Sequence, residues 1–235
     1  MLKQLTNLGG VILKSLFRIK KIKVGFSLIL ADEIVLEEGA HIGHLNCIIC
    51  RKLVLKKGAS IGKLNFIKGN FDLLMYERSD INMQNKITSI LKNELKRGRS
   101  ELQMKYHAKI GVGHLIDMTS NITIGENSMI AGAGSQLWTH GFYFSKVGDK
   151  VSRIDGDIAI GNNCYIGARS VICAGVSIPA ATTIGANCCI SKSLEKSGLY
   201  VSQPLRYIEF DPDVAINRFG TPEDCINGVN IYRKC

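Results

Sequence analysis

An aliphatic residue recurs at every sixth position in the second half of the chain, and no other feature constrains the fold as strongly. The period runs unbroken through Ile160, Ile166, Ile172, Ile178, Ile184 and Ile190. An α-helix, with about 3.6 residues per turn, does not produce this period, and neither does the two-residue alternation of a strand. A coil of three short faces does, because each face points one aliphatic side chain inward, and stacking coils about 4.8 Å apart aligns those side chains in columns. The pattern therefore predicts a prism of stacked, three-sided coils.

A second repeat precedes the first. LADEIVLEEGAHIGHLNCI, residues 30–48, and ICRKLVLKKGASIGKLNFI, residues 49–67, are tandem units of 19 residues, one more than three hexads. Each unit predicts one coil with one extra residue. Coil-like spacing resumes over residues 109–136. The predicted fold is thus an all-β repeat.

Two segments have helical rather than hexad spacing. Residues 1–27 alternate apolar residues with lysines, and we predict a short basic amphipathic helix that is neither a signal peptide nor a membrane span. Ile87, Ile90, Leu91 and Leu95 predict a second amphipathic helix, beginning near Asp80 and inserted between coils. The predicted domain boundaries are 1–27 for the N-terminal segment, 28–74 for the first coils, 75–105 for the helical insertion, 106–200 for the second β-helix with a loop at 137–157, and 201–235 for a C-terminal tail.

Composition narrows the partners. The chain has 24 glycines against 4 prolines, at regular intervals that suit coil corners, and 30 Lys and Arg against 20 Asp and Glu. The excess of positive charge favours anionic partners. The sequence contains no nucleic-acid-binding motif, so we do not expect a nucleic acid as a partner. Unpaired cysteines inside apolar repeats suit a reducing compartment, so we expect a cytoplasmic protein. Cys47 and Cys50 form a lone CxxC without further ligands, and we expect no metal.

The hexads IGENSMIAGAGS and IGNNCYIGARSVICAGVSIPAATTIGANCCISK, followed by VSQPLRYI, resemble those of the hexapeptide-repeat acyltransferases. The resemblance is close over residues 106–208 and extends to 28–67 as additional coils. It implies a left-handed parallel β-helix, although crossovers are usually right-handed. It also implies acetyl transfer from acetyl-CoA by homotrimers with active sites between neighbouring prisms. The chain is most similar to O-acetyltransferases of sugars and surface polysaccharides.

In this resemblance the catalytic base is a histidine on a loop leaving the coil, which corresponds to His140 in SQLWTHGFYFSK. A neutral imidazole suits removal of a hydroxyl proton near pH 7. Trp138 either walls the acceptor pocket or anchors the loop on the prism. His114 and Asp117 either touch the acceptor, orient the base or are surface coil residues. Backbone N–H groups of residues 132–135 are candidate donors to the oxyanion.

The resemblance also implies a coenzyme A site. Small residues at coil corners approach the pantetheine arm, and basic residues further along hold the phosphates. By position these residues are Ala168, Ala186, Ser191, Lys192 and Arg206. Ser202 and Leu205 depart from the string usual in relatives, whereas Arg206 keeps a positive charge there.

Three alternatives remain at this point. One is N-acetylation of an amino-sugar nucleotide. Another is a zinc enzyme like the carbonic anhydrases of this fold, with His107, His114 and His140 as ligands. The resemblance would lead us to expect two closely spaced histidines, which these three do not include. The third is a noncatalytic trimeric scaffold. The expected partners are a carbohydrate or sugar-nucleotide acceptor and, through the basic N-terminus, the inner face of the membrane.

Overall fold

The computed structural model describes residues 5–6, 11–12, 21–89, 100–202, 212–218, 221–222, 224–226 and 229–231. The chain divides into two compact units, residues 1–202 and 203–235. The first unit is a three-sided parallel β-helix, so the predicted left-handed parallel β-helix of hexapeptide coils is confirmed. The two helices that the sequence predicts in addition are not confirmed.

Each coil passes through three faces, which we number in the order 1, 2, 3. Face 1 contains Phe71–Met75, Ser100–Met104, Ile122–Ile124, Ile158–Ile160 and Ser177–Ile178. Face 2 contains Lys23–Val24, His41–Ile42, Ser60–Ile61, Asp80–Ile81, Lys109–Val112, Met129–Ala133, Tyr165–Ile166, Thr183–Ile184 and Leu199–Tyr200. Face 3 contains Phe66–Lys68, Lys86–Thr88, Leu115–Asp117, Gln136–Leu137, Val171–Ile172 and Cys189–Ile190. The long strands Leu28–Leu36 and Cys47–Leu55 run from face 3 into face 1.

The core consists of the predicted aliphatic columns. On face 2, Ile130, Ile166 and Ile184 are in register on successive strands and are fully buried. The 19-residue repeats stack likewise, with Ile42 opposite Ile61. Burial of one such side chain stabilises the fold by about 1.5–3 kcal/mol. The inward-pointing residue of each hexad therefore holds the prism together.

The corner between faces 2 and 3 carries a ladder of polar side chains. At each rung, a buried side-chain acceptor takes the backbone N–H of the residue at the same position in the next coil. Such pairing is needed because buried N–H groups without a partner are costly. The ladder consists of Ser27, Asn46, Asn65, Asn85, His114, Ser135 and Ser170.

The predicted N-terminal helix is wrong where the structure describes this segment. Residues Leu5–Thr6 and Val11–Ile12 are strands that pair antiparallel with Leu28–Leu36. Hydrogen bonds to an open strand edge determine the conformation here, and they outweigh a local helical spacing. Residues 1–4, 7–10 and 13–20 lie outside the described residues.

The predicted helical insertion is also wrong over residues 75–89. Asp80–Ile81 and Lys86–Thr88 are strands, and Ile87 lies in register with Ile67 and Ile116 on face 3. These residues belong to a third coil that repeats the preceding unit at an offset of 20 residues, one more than the 19 that separate the first two. It is hard to see in the sequence because Arg78 occupies the positive-φ corner position that Gly58 holds one coil earlier. Residues 90–99, with most of the helical spacing, lie outside the described residues.

One hairpin leaves the prism between faces 3 and 1. Strands His140–Phe144 and Val151–Asp155 pair antiparallel, and the Gly156 N–H donates to the Thr139 carbonyl at 2.9 Å and closes the base. The coil resumes with the Ile158 N–H bonded to Asn121 O at 2.9 Å. The loop predicted at 137–157 is thus a β-hairpin.

The second unit, predicted as a tail, has its own elements. They are a short helix, Pro212–Asn217, and an antiparallel pair, Asp224–Ile226 with Val229–Ile231. Within the described ranges no helix has the length and apolarity needed to cross a bilayer.

Candidate active site

His140 lies at the base of the hairpin and faces back onto the prism. The preceding residue, Thr139, is fully buried, and the following strand runs outward, with Phe142, Tyr143 and Phe144 exposed. The break in the hexad period therefore has a structural basis. An inward position would bury the imidazole, whereas the hairpin base leaves the His140 side chain 19% exposed.

The His140 side chain contacts a buried carboxylate from the previous coil. Its Nδ1 lies 2.8 Å from Asp117 Oδ2, and the Asp117 side chain is only 8% exposed. An ionised carboxylate accepts hydrogen bonds but donates none, so Nδ1 carries the proton. The second ring nitrogen, Nε2, then has a free lone pair. Of the expectations for Asp117, the geometry favours orientation of the histidine.

Asp117 is itself held by hydroxyl and backbone donors. The Thr139 N–H donates to Oδ2 at 3.0 Å, and the Thr139 hydroxyl lies 2.6 Å from the same oxygen. The Thr119 hydroxyl donates to Oδ1 at 2.8 Å and lies 3.2 Å from His140 Nδ1. The Thr139 oxygen in turn accepts the Ser120 N–H at 3.0 Å. These charge-assisted bonds fix the carboxylate and, through it, the ring.

Sequence reasoning missed both threonines. Neither lies at a hexad position that marks it, because Thr119 and Thr139 belong to two coils that come together only through the stacking of face 3. The only sequence signal for Thr139 is its position next to His140, the candidate base.

A cavity of about 280 Å³ opens beside the pair. Trp138 lines it, 40% exposed, and the indole N–H donates to Gln136 Oε1 at 2.8 Å. Phe142 from the hairpin contacts His140 edge-on, with ring centroids 5.5 Å apart. The cavity is lined by Lys86, Thr88, Ser89, Leu115, Ile116, Asp117, Trp138 and His140.

A salt bridge stiffens the second hairpin strand beside His140. Asp155 is the cross-strand neighbour of His140, and the Arg153 guanidinium bonds both of its oxygens, at 2.6 and 3.0 Å. The side-chain hydrogen bond to Asp155 raises the pKa of Arg153. Arg153 is therefore charged and already paired, and Asp155 is not a second free carboxylate next to the base.

His114 does not belong to the cavity, and its expected roles as an acceptor ligand or a surface residue are both wrong. It is fully buried in the corner ladder, where Nδ1 accepts the Ser135 N–H at 3.1 Å and Nε2 has no hydrogen-bond partner. Burial lowers the pKa of this imidazole. The residue replaces the asparagines of earlier coils as a neutral acceptor.

The corner amides expected to stabilise the oxyanion are in part already bonded. Ser135 gives its N–H to His114, and Gly134 gives its N–H to the Gly113 carbonyl at 3.2 Å. These two groups hold the stack together, so that expectation is wrong for them.

Four of the five residues expected to contact coenzyme A lie at the two ends of face 3 in the last coils. Gly132, Ala168 and Ala186 follow each other at the corner between faces 2 and 3, and a Cβ on Gly132 would lie 2.6 Å from the Ala168 Cβ. Asn187 donates its N–H to Ala168 O at 2.8 Å, which brings the two alanine corners together. Ser191 and Lys192 are exposed just after face 3. Arg206 lies outside the described residues.

The three histidines of the zinc alternative do not converge. His107 is exposed at the corner between faces 1 and 2, where its Nδ1 lies 3.2 Å from Asn127 Oδ1, and His114 is inside the other corner. Across the described ranges, no group of three His, Cys, Asp or Glu side chains is arranged to hold a metal ion.

Fold and site define a parallel β-helix protein with a carboxylate-oriented histidine on its outer surface. No protein-family model matches the chain, and no curated protein matches it significantly. Among solved structures, the polysialic acid O-acetyltransferase OatWY is 18% identical with a TM-score of 0.53, over 80% of this chain and 88% of its own. The polySia specific acetyltransferase NeuO is 19% identical (TM-score 0.42; 80% and 82%). A point mutant of the N-acyltransferase AntD from Bacillus cereus, in complex with dTDP and coenzyme A, is 15% identical (TM-score 0.39; 83% and 88%). The similarity to OatWY covers most of both chains and defines a shared fold.

Proposed function

We propose that the protein is an acetyltransferase that moves an acetyl group from acetyl-CoA to a carbohydrate hydroxyl, with His140 as general base. The observation that carries this proposal is the 2.8 Å contact between His140 Nδ1 and the buried Asp117 carboxylate, beside a cavity open to ligand. A noncatalytic scaffold has no use for a carboxylate buried against a partly exposed imidazole. The acceptor is a surface polysaccharide or its precursor.

The proposed reaction uses one proton shuttle. Asp117 holds the Nδ1 proton, so Nε2 of His140 takes the proton of the acceptor hydroxyl as its oxygen attacks the thioester carbonyl. The tetrahedral intermediate collapses with loss of the coenzyme A thiolate, which takes the proton back from Nε2. Such a positioned base accelerates transfer by about 10²–10⁴-fold. No covalent enzyme intermediate forms, so the cysteines take no part.

The donor is proposed to lie along the last coils. Ala168 and Ala186, at the corner between faces 2 and 3, are proposed to contact the pantetheine arm, and Ser191 and Lys192 are exposed at the other end of face 3. Arg206 is proposed to bind the phosphates, because a guanidinium forms bidentate bonds with them. Trp138 is proposed to wall the acceptor side, since its ring lines the same cavity as His140.

The comparison with solved structures supports this proposal through the fold. OatWY is described as an O-acetyltransferase of polysialic acid, and we propose the same class of reaction for this chain. N-acetylation of an amino-sugar nucleotide is the alternative, since an amine needs the same base. A homotrimer with sites between prisms, a cytoplasmic location and membrane contact through the basic N-terminus complete the proposal.

A screen of sugars, sugar nucleotides and glycan fragments for thiol release from acetyl-CoA tests the function. We expect release only with a carbohydrate acceptor, an O-acetyl product, and a fall in kcat of about 10²–10⁴-fold in His140→Ala. His107→Ala is the matched control, because that imidazole is also on the surface but at another corner. Equal rates in folded His140→Ala and wild type would refute the base, and an N-acetyl product would favour the alternative.

A further inference from the structure

The outer surface of face 3 continues from the cavity toward the N-terminal coils as two columns of side chains. One column is Leu28, Cys47, Phe66, Lys86 and Leu115, and the other is Leu30, Ile49, Lys68, Thr88 and Asp117. We call these two columns the outer track. Both end at the cavity, since Leu115 and Asp117 line it.

The outer track is positively charged. Apart from Asp117, which is buried and bound to His140, it contains no acidic residue, and the whole stretch 39–71 contains no Asp or Glu. Lys86 is exposed, and neither it nor Lys68 forms an ion pair within the described ranges. An anion on this surface would meet unpaired cations.

Face 1 is the opposite case. There Lys52 pairs with Glu33 at 3.0 Å and Lys56 with Glu37 at 2.8 Å. Glu33 and Glu37 therefore neutralise these two lysines on a face away from the cavity. The two lysines of the outer track thus differ from Lys52 and Lys56, whose charges are neutralised by neighbouring carboxylates.

Exposed apolar side chains separate the lysines. Phe66 is 40% and Leu115 is 38% exposed, and each directly neighbours Lys86 on face 3. An aromatic ring beside a cation suits the apolar face of a sugar ring that also carries a negative charge. The cavity, at about 280 Å³, is small for a ligand site and holds only part of a longer molecule.

We propose that the acceptor is a chain of acidic sugars, with its reacting residue in the cavity and its neighbouring residues along the outer track against Lys86, Phe66 and Lys68. This deepens the proposed function, on which it rests, by naming the acceptor class of the same site. Lys68 and Lys86 act as specificity-determining residues that select negative charge on the acceptor.

Binding without turnover tests the proposal. Trp138 is the only tryptophan, so its fluorescence reports on the cavity, and calorimetry measures the affinity. The probes are oligomers of sialic acid and of galacturonic acid in graded lengths, with neutral maltooligosaccharides of matched length. We expect the affinity of the acidic oligomers to rise with length and to fall with added salt. The neutral oligomers should show neither trend, and acidic oligomers that bind no better than neutral ones would overturn the proposal.

Charge reversal locates the surface. In the double variant Lys68→Glu, Lys86→Glu, we expect the affinity for long acidic oligomers to drop by about tenfold. Lys57→Glu is the control, since Lys57 is exposed at the corner between faces 1 and 2 and should bind as wild type does. If the double variant melts as wild type does and binds the acidic oligomers with unchanged affinity, the outer track is not their binding surface.

Two further results would also overturn it. A change in sedimentation of Phe66→Asp would mean that another copy of the chain covers the outer track. Binding of anionic phospholipid vesicles that the double variant abolishes, without binding of acidic oligomers, would make the surface a lipid site. The two proposals can fail separately. If no assay detects acetyl transfer but the acidic oligomers still bind as expected, the proposed function is wrong and the acidic-sugar surface is retained.

Discussion

Ser135 donates its backbone N–H to Nδ1 of His114 at 3.1 Å, inside the corner ladder of the prism. This bond requires the imidazole to be neutral at Nδ1, with its proton on Nε2. Protonation would place two donors face to face in a buried corner. The fold therefore depends on a histidine that resists protonation, although the reaction does not use it.

We expect acid to destabilise the protein through His114. Burial lowers its folded-state pKa below the usual 6.5, so below pH 6.5 the unfolded chain binds a proton that the folded chain does not. Stability should thus be complete above pH 6.5 and fall with acidification, by at most about 1.4 kcal/mol per pH unit for this group. His114→Asn, which restores the residue of earlier coils, should flatten this slope in urea titrations. His107→Asn, at an exposed corner, should leave it unchanged, and equal slopes in all three proteins would contradict the assignment.

Asp117→Asn should abolish most of the activity while preserving the fold. An amide can donate to Nδ1 and leave Nε2 protonated, which removes the free lone pair of the base. We expect kcat to fall by about 10²–10⁴-fold with little change in the KM for acetyl-CoA. Asp157→Asn, at an exposed corner where the carboxylate accepts the Asn121 N–H, is the control. A wild-type rate for Asp117→Asn would remove Asp117 from the mechanism.

Thr139 is expected to act as a positioning residue. Thr139→Val keeps the shape but removes a donor to Asp117 and the acceptor of the Ser120 N–H, at a cost of about 1–3 kcal/mol in stability. The misplaced carboxylate should lower kcat more than it changes KM. Thr139→Ser should restore kcat because it keeps the hydroxyl. If the Ser variant is as slow as the Val variant, the hydroxyl is not what positions the carboxylate.

Ile166 tests the hexad column. Ile166→Ala should lower the free energy of unfolding by about 2–5 kcal/mol, because the side chain is fully buried between Ile130 and Ile184. Ile166→Lys should prevent folding. The adjacent Tyr165 points outward and is 48% exposed, so Tyr165→Lys should melt close to wild type. Similar melting temperatures for both lysine variants would contradict the column.

Arg206→Ala should raise the KM for acetyl-CoA and leave acceptor affinity almost unchanged, because the guanidinium is expected to bind the phosphates of the donor. Steady-state kinetics with each substrate varied in turn measures this. Lys57→Ala removes an exposed cation elsewhere and should change neither constant. Weaker acceptor binding at an unchanged KM for acetyl-CoA would refute the role of Arg206.

The hexads alone predicted the coil, the inward isoleucines and the point at which the chain leaves the prism, because period six belongs to three-sided coils and to neither helix nor flat sheet. The local spacing of apolar residues gave a wrong prediction where it fitted both a helix and a coil of the prism. Ile87 fits both a helical stripe and a face of the prism, and its pairing with Ile67 and Ile116 decided for the prism.

The sequence by itself also nominated His140 and offered His114 and Asp117 as its companions without a reason to prefer either. Only the tertiary structure decided between them. Stacking of coils brings Asp117 to His140 across 23 positions, and the same stacking buries His114 in the ladder. Periodicity specifies which side chains point inward, since each coil repeats the last. Which side chains meet across coils depends on where extra residues shift the register, and that is settled only when the strands pair.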